Sequence, residues 1–177
     1  IIEILGDPKN HDVEMNSILY QYNLSPNFDK KVLDESLSIS HEFSKNDIKN
    51  RIDFRDVSTF TIDPKDAKDF DDAFSVKELE NSNWEIGVHI ADVSHYVKEN
   101  SFLDKESFNR SCSVYLVDRV IPMLPEKLSN DLCSLKQGVD RLCYSVIFEF
   151  DDSLNLISYK INETIIHSNK RFTYENA

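Results

Sequence analysis

Apolar and polar positions alternate most regularly over residues 84–91, where Trp84, Ile86, Val88 and Ile90 are interleaved with Glu85, Gly87 and His89. A two-residue period is that of a strand with one buried face. The pattern therefore predicts a strand with its isoleucines inward and His89 on the polar side. Residues 73–79 precede it across Glu80-Asn-Ser-Asn83, a polar tetrad suited to a hairpin turn. Residues 144–150 and 157–166, joined through Asp151-Asp152-Ser153, predict a second long hairpin, and residues 57–62 and 114–117 two shorter strands. The first fifty residues follow a helical period instead. Asp12 is expected to cap a helix carrying Val13, Ile18, Leu19 and Tyr22. Ser25-Pro26 has the N-cap-then-proline order that opens another helix, with Phe28, Val32, Leu33 and Leu37 on one side. Ser44 suits the cap of a short helix before Arg51, and Ser101 with Asp104 the cap of one running to about Cys112. Residues 1–6, IIEILG, read as the end of a strand. The chain is thus mixed α/β with mainly antiparallel strands, divided into a mostly helical connector, residues 1–50, and a strand-rich part, residues 51–177.

Composition narrows the class. A chain of 177 residues with 40% hydrophobic content can bury a core of domain size. No apolar run approaches the roughly 18 residues of a membrane span, and no secretory signal is read at the start. Cys112, Cys133 and Cys143 have no CxxC spacing, so reduced structural thiols and a cytoplasmic location are expected. The formal charge of −12 argues against a module that grips nucleic acid across its whole surface. It leaves open an enzyme that meets phosphate through metal ions.

The chemistry concentrates in residues 61–74, TIDPKDAKDFDDAF, where Asp63, Asp66, Asp69, Asp71 and Asp72 crowd together with only Lys65 and Lys68 to balance them. Such crowding is tolerated when a hard divalent cation neutralises it, or when the loop is simply solvated. Phe70, inside the cluster, favours a loop that packs inward. An EF-hand is excluded, because counting from Asp63 puts Lys68 where glycine is required and Phe74 where glutamate is. His89 and His95 are possible metal ligands but read better as structural or surface residues. Asp92 suits second-layer support or helix capping, and Lys136 and Arg141 suit either phosphate contact or a solvated surface.

The acidic signature, followed by GVHIADVSHYV (residues 87–97), SVYL (113–116), IPMLPEKLSNDLCSL (121–135) and HSNKRFTY (167–174), resembles in order and spacing the ribonuclease II/ribonuclease R family, nearest its ribonuclease R branch. The family's catalytic module is the RNB domain. The resemblance covers about residues 50–177; residues 1–50 look like the end of a cold-shock, OB-type domain and a linker. It implies a processive hydrolytic 3′→5′ exoribonuclease that degrades single-stranded RNA to nucleoside 5′-monophosphates with Mg²⁺, or Mn²⁺ in its place. The family's active-site aspartates fall on Asp63, Asp69, Asp71 and Asp72, as catalytic and metal-binding residues, and its RNA-stacking tyrosine falls on Tyr115. Asp66 falls at a variable position. The resemblance also implies that the chain is the N-terminal half of an RNB domain. The other half, with an arginine and a glutamate for the site, and an S1 domain would follow, so this piece alone is expected to be inactive or weakly active. The alternative is a non-catalytic metal- or protein-binding domain that keeps the carboxylates as scaffold.

Overall fold

The computed structural model describes residues 1 and 4–177. Three helices come first: α1 (His11–Gln21), α2 (Lys30–Ser38) and α3 (Lys45–Lys49). The strands β1 (Ile52–Phe54), β2 (Thr59–Asp63), β3 (Asp72–Glu78) and β4 (Trp84–Ala91) follow, then α4 (Val93–Tyr96) and α5 (Phe102–Arg110). A small hairpin of β5 (Val114–Tyr115) and β6 (Val120–Ile121) leads to a wide helical turn at Leu128–Leu132. The long strands β7 (Asp140–Phe150) and β8 (Leu156–His167), then β9 (Lys170–Thr173), complete the fold.

Seven strands form one sheet in the order β1-β8-β7-β4-β3-β2-β9; β1–β8 and β2–β9 run parallel and the other pairs antiparallel. A flat sheet would separate β8 from β9 by five strand spacings, roughly 24 Å. The three Cα steps from His167 to Lys170 span at most ~11 Å. The sheet must therefore curl until its two ends meet. The link is closed by the Asn169 N–H donating to Thr59 O at 2.8 Å and the Thr59 N–H donating to Asn169 Oδ1 at 2.8 Å.

Curling decides which face is buried, and it reverses the expectation for β4. The interior of the curl is narrow and takes Gly87, His89 and Ala91, beside Ala73, Ser75, Cys143, Ser145, Thr164 and Ile166, all buried. Ile86 and Val88 point to the outer face and are half-buried, whereas Trp84 and Ile90 there are exposed. His89 is completely enclosed. Its Nδ1 lies 2.7 Å from Ser145 Oγ and its Nε2 2.8 Å from Ser75 Oγ, and Phe54 packs edge-on at 5.4 Å. Burial pulls its pKa down to about 4, so the ring is neutral. A Cβ on Gly87 would sit 2.3 Å from Ser75 Oγ and 2.6 Å from His89 Nε2, so the ring occupies the space this glycine leaves.

The helical part departs from its predicted caps. Asn10, not Asp12, caps α1, its side chain accepting from the Asp12 N–H at 2.9 Å, because a turn from Asp7 sets the start earlier. The Ser25 hydroxyl donates to Asn27 O, and Asp29 caps α2 instead. With that start, Val32 and Ser36 face inward, while Leu33 and Leu37 stay exposed. Ser44 and Asp47 form the reciprocal capping box expected of α3, and Ser101 caps α5 as its sequence indicates. The expected strand end at residues 1–6 includes Ile2 and Glu3, outside the described residues; residues 4–6 carry no regular structure. Cys133 and Cys143 are buried, Cys112 is exposed, and all three are free thiols. Among the described residues no helix is long and apolar enough to cross a membrane.

Candidate active site

The acidic loop connects β2 to β3 at one end of the curl. Asp63 is the last residue of β2 and is buried; its Oδ2 has no hydrogen-bond partner. Asp72 opens β3 and is exposed, as is Asp71, while Asp69 is half-buried in the loop between them. Loss of solvation raises the Asp63 carboxyl above its ordinary pKa, with further pushes from Asp72 and Asp69, although Thr61 and Arg171 oppose them. Asp71 is raised in the same way, first by desolvation and then by Asp69, Asp72 and Asp63. The four carboxylates thus act on one another. Asp66, on the outer bend, contributes to neither shift.

The loop is pinned from below. Phe70 is buried; its N–H donates to Ser134 Oγ at 3.1 Å, and its carbonyl accepts from the Leu135 N–H at 2.8 Å. The Ser134 hydroxyl donates in turn to Lys68 O at 2.8 Å. Arg141 holds this support in place, donating to Ser134 O, Asp131 O and Asp140 O at 2.9–3.0 Å. It is buried, so neither phosphate contact nor a solvated surface describes it. Lys136 reaches Asp131 at 3.6 Å on the surface. From the other side, the Arg171 guanidinium donates to Pro64 O and Lys65 O. Ser134 and Arg171 have no role legible in the sequence, because a side chain bonded to a distant carbonyl leaves no local pattern.

Tyr115 stands on the β5–β6 hairpin, exposed, with its hydroxyl donating to Asp69 Oδ2 at 3.2 Å. An aromatic face is thereby held at the rim of the carboxylates. Asp92 lies elsewhere: it is buried, caps α4, accepts from Ser94 Oγ and the His95 N–H, and pairs with Arg51 at 2.5 Å. His95 packs edge-on against Tyr96. Neither histidine joins the acids. A cleft of about 520 Å³ lies between residues 4–5 and α1, lined by Leu5, Leu19, Leu24 and Pro26, and contains none of the acids.

Asp63 Oδ2, buried and unpartnered among like charges, suits a cation, and four hard oxygen donors suit Mg²⁺ or Mn²⁺. Among the described residues no three acidic, histidine or cysteine side chains converge closely enough to enclose an ion unaided.

A curled sheet carrying a braced carboxylate loop with an aromatic at its rim defines a domain class that comparison can test. The RNB domain model matches residues 51–177, and the chain belongs to the RNB-domain family. It is 46% identical over 175 residues to "Ribonuclease R 1" of Lactococcus lactis, covering 99% of this chain and 21% of that protein. Mycoplasma genitalium RNase R, solved in complex with ribose-methylated single-stranded RNA, superposes with a TM-score of 0.89 at 31% identity, over 98% of this chain and 27% of that one. Yeast Ssd1, described as a pseudonuclease, superposes with a TM-score of 0.83 at 25% identity, over 97% of this chain and 22% of that one. The chain therefore spans about a fifth to a quarter of the relatives it matches.

Proposed function

We propose that this chain is the carboxylate-bearing half of a metal-dependent 3′→5′ exoribonuclease that hydrolyses single-stranded RNA to nucleoside 5′-monophosphates. Residues 1–50 would comprise the end of a cold-shock, OB-type domain and a helical linker. The observation that carries the reading is the Tyr115–Asp69 contact at 3.2 Å, which puts an exposed aromatic ring beside the carboxylates. Stacking on an aromatic contributes about 1–3 kcal/mol per base and tolerates any sequence, as degradation of varied RNA requires.

Asp63 and Asp72 would hold Mg²⁺, or Mn²⁺, directly, while Asp69 and Asp71 position a second ion or the attacking water. Such an ion lowers the pKa of bound water and offsets charge on the scissile phosphate. Tyr115 sets the register of the RNA 3′ end by stacking, and its hydroxyl keeps Asp69 oriented. Phe70 and the Ser134–Leu135 bridge exclude water beneath the loop, so the carboxylates stay where the fold puts them. The arginine and glutamate that the family resemblance assigns to the remaining half of the domain complete the site in a longer polypeptide.

End-labelled single-stranded RNA incubated with that longer polypeptide, with and without Mg²⁺, tests this. Release of 5′-monophosphates that needs Mg²⁺ and vanishes in Asp71→Asn is the expected result; undiminished turnover in Asp71→Asn refutes the role of that residue. A second reading, a non-catalytic metal- or protein-binding domain that keeps the carboxylates as scaffold, is favoured by the similarity to a pseudonuclease. It predicts no release of 5′-monophosphates under any metal condition.

A further inference from the structure

Asp63 ends a strand, whereas Asp69, Asp71 and Asp72 come after the bend that follows it. Strand pairing fixes each end, but it does not fix the path of residues 64–70 between them. One side chain reaches both halves of that path. Arg171, on β9, sits opposite Thr61 of β2 in parallel register, two residues before the position facing Asp63. Its Nη2 donates to Pro64 O and Lys65 O, both at 2.8 Å, at the loop's entry. Its Cζ lies 4.8 Å from the centre of the Phe70 ring, near the loop's exit. Its own backbone is held too, the N–H donating to Gln137 Oε1 at 3.0 Å.

We propose that Arg171 is a positioning residue for the carboxylate loop: by tying the carbonyls of Pro64 and Lys65 to the face of Phe70, it sets the separation of Asp63 from Asp69, Asp71 and Asp72 that cation binding requires. The proposal rests on the metal-binding reading of that loop. The guanidinium suits the task as an ammonium does not. It is planar, it donates from one nitrogen to two carbonyls, and it stacks on a ring at the same time. It is also the positive charge that opposes the crowding at Asp63, as a cation would. Bracing it by a separate strand makes the path of the loop independent of the ion.

Mn²⁺ binding to the longer polypeptide that contains this chain, followed by isothermal titration, tests the proposal with three proteins: the parent, Asp63→Asn and Arg171→Lys. The parent is expected to bind Mn²⁺, Asp63→Asn to bind much more weakly, and Arg171→Lys to lose at least tenfold in affinity although it keeps the positive charge. Amide hydrogen exchange should rise in residues 64–70 of Arg171→Lys and stay unchanged in β3 and β4. Parent-like affinity in Arg171→Lys overturns the positioning role and leaves the metal site standing. A parent that binds Mn²⁺ no better than Asp63→Asn overturns both. Should Arg171→Lys fail to fold, Phe70→Leu, which removes the ring beneath the guanidinium, carries the same comparison.

Discussion

The enclosed histidine makes stability depend on pH in a way that can be worked out beforehand. The Thr164 hydroxyl donates to Cys143 O at 3.5 Å, which assigns the 2.6 Å contact as Ser145 donating to Thr164 Oγ1 and, in turn, the neutral ring as the Nδ1–H tautomer donating to Ser145 Oγ. The Ser75 hydroxyl donates to His89 Nε2 at 2.8 Å. Every hydroxyl donates once, and the neutral ring serves as one donor and one acceptor. A second proton on Nε2 would face a hydroxyl already pointing at it, inside a site without solvent. Hence the folded pKa is about 4, against 6.5 for the free side chain. The folded state binds fewer protons than the unfolded chain between these values, so stability is fully present above pH 6.5 and falls as pH drops toward 4. Linkage gives a loss of about 2 kcal/mol between pH 7 and pH 4.5 from this residue alone. Urea denaturation of the parent and His89→Gln at the two pH values isolates it, because other titrating groups cancel in the difference. The variant should be about 1–3 kcal/mol less stable at pH 7, since one terminal amide cannot span Ser145 and Ser75 as the two ring nitrogens do, yet lose about 2 kcal/mol less on acidification. Equal acid losses in the two proteins, or an imidazole NMR titration of His89 near pH 6.5, would refute the reasoning.

Four further outcomes follow from the same structure. Gly87→Ala should destabilise the fold by about 1–3 kcal/mol, read as a fall in Tm, because its Cβ would meet Ser75 Oγ at 2.3 Å and the His89 ring at 2.6 Å. Asp92→Asn should cost about 3 kcal/mol in urea denaturation, since it removes one partner of a buried ion pair with Arg51, whereas the paired replacement Arg51→Met with Asp92→Leu should cost less. Asp63 and Asp71 carry raised carboxyl pKa values, so the folded state keeps protons that the unfolded chain releases. Their contribution is present below about pH 3.8 and is lost as pH rises through the raised values; in metal-free buffer at pH 7, Asp71→Asn should therefore melt above the parent, and Mg²⁺ should raise the Tm of the parent more. Tyr115→Ala should weaken RNA binding by about 1–3 kcal/mol, measured by fluorescence anisotropy, with Tm unchanged because the side chain is exposed.

What the sequence made legible was local. The turn at residues 80–83, the capping box of α3, the Ser101 cap of α5, and the acids on a short strand-to-strand connection all depend on neighbours within a few positions. The error at β4 has the opposite origin. Alternation identified two faces correctly, but choosing the inner one required knowing that residues 168–169 join the two ends of the sheet. Once they do, the interior is too narrow for Trp84 or Ile90, and Gly87, His89 and Ala91 fill it with serine and threonine from neighbouring strands. Polarity misleads there because His89 is satisfied by hydroxyls that lie 14 and 56 positions away. The same distance rule governs the carboxylate site. Asp63, Asp69, Asp71 and Asp72 were visible as a cluster, whereas Ser134, Arg141 and Arg171, which hold the loop, act across separations of up to 107 positions. Chemistry was therefore read from adjacent residues and its support was not. Long-range closure supplies that support, and a loop this acidic keeps its shape only while those distant donors hold its carbonyls.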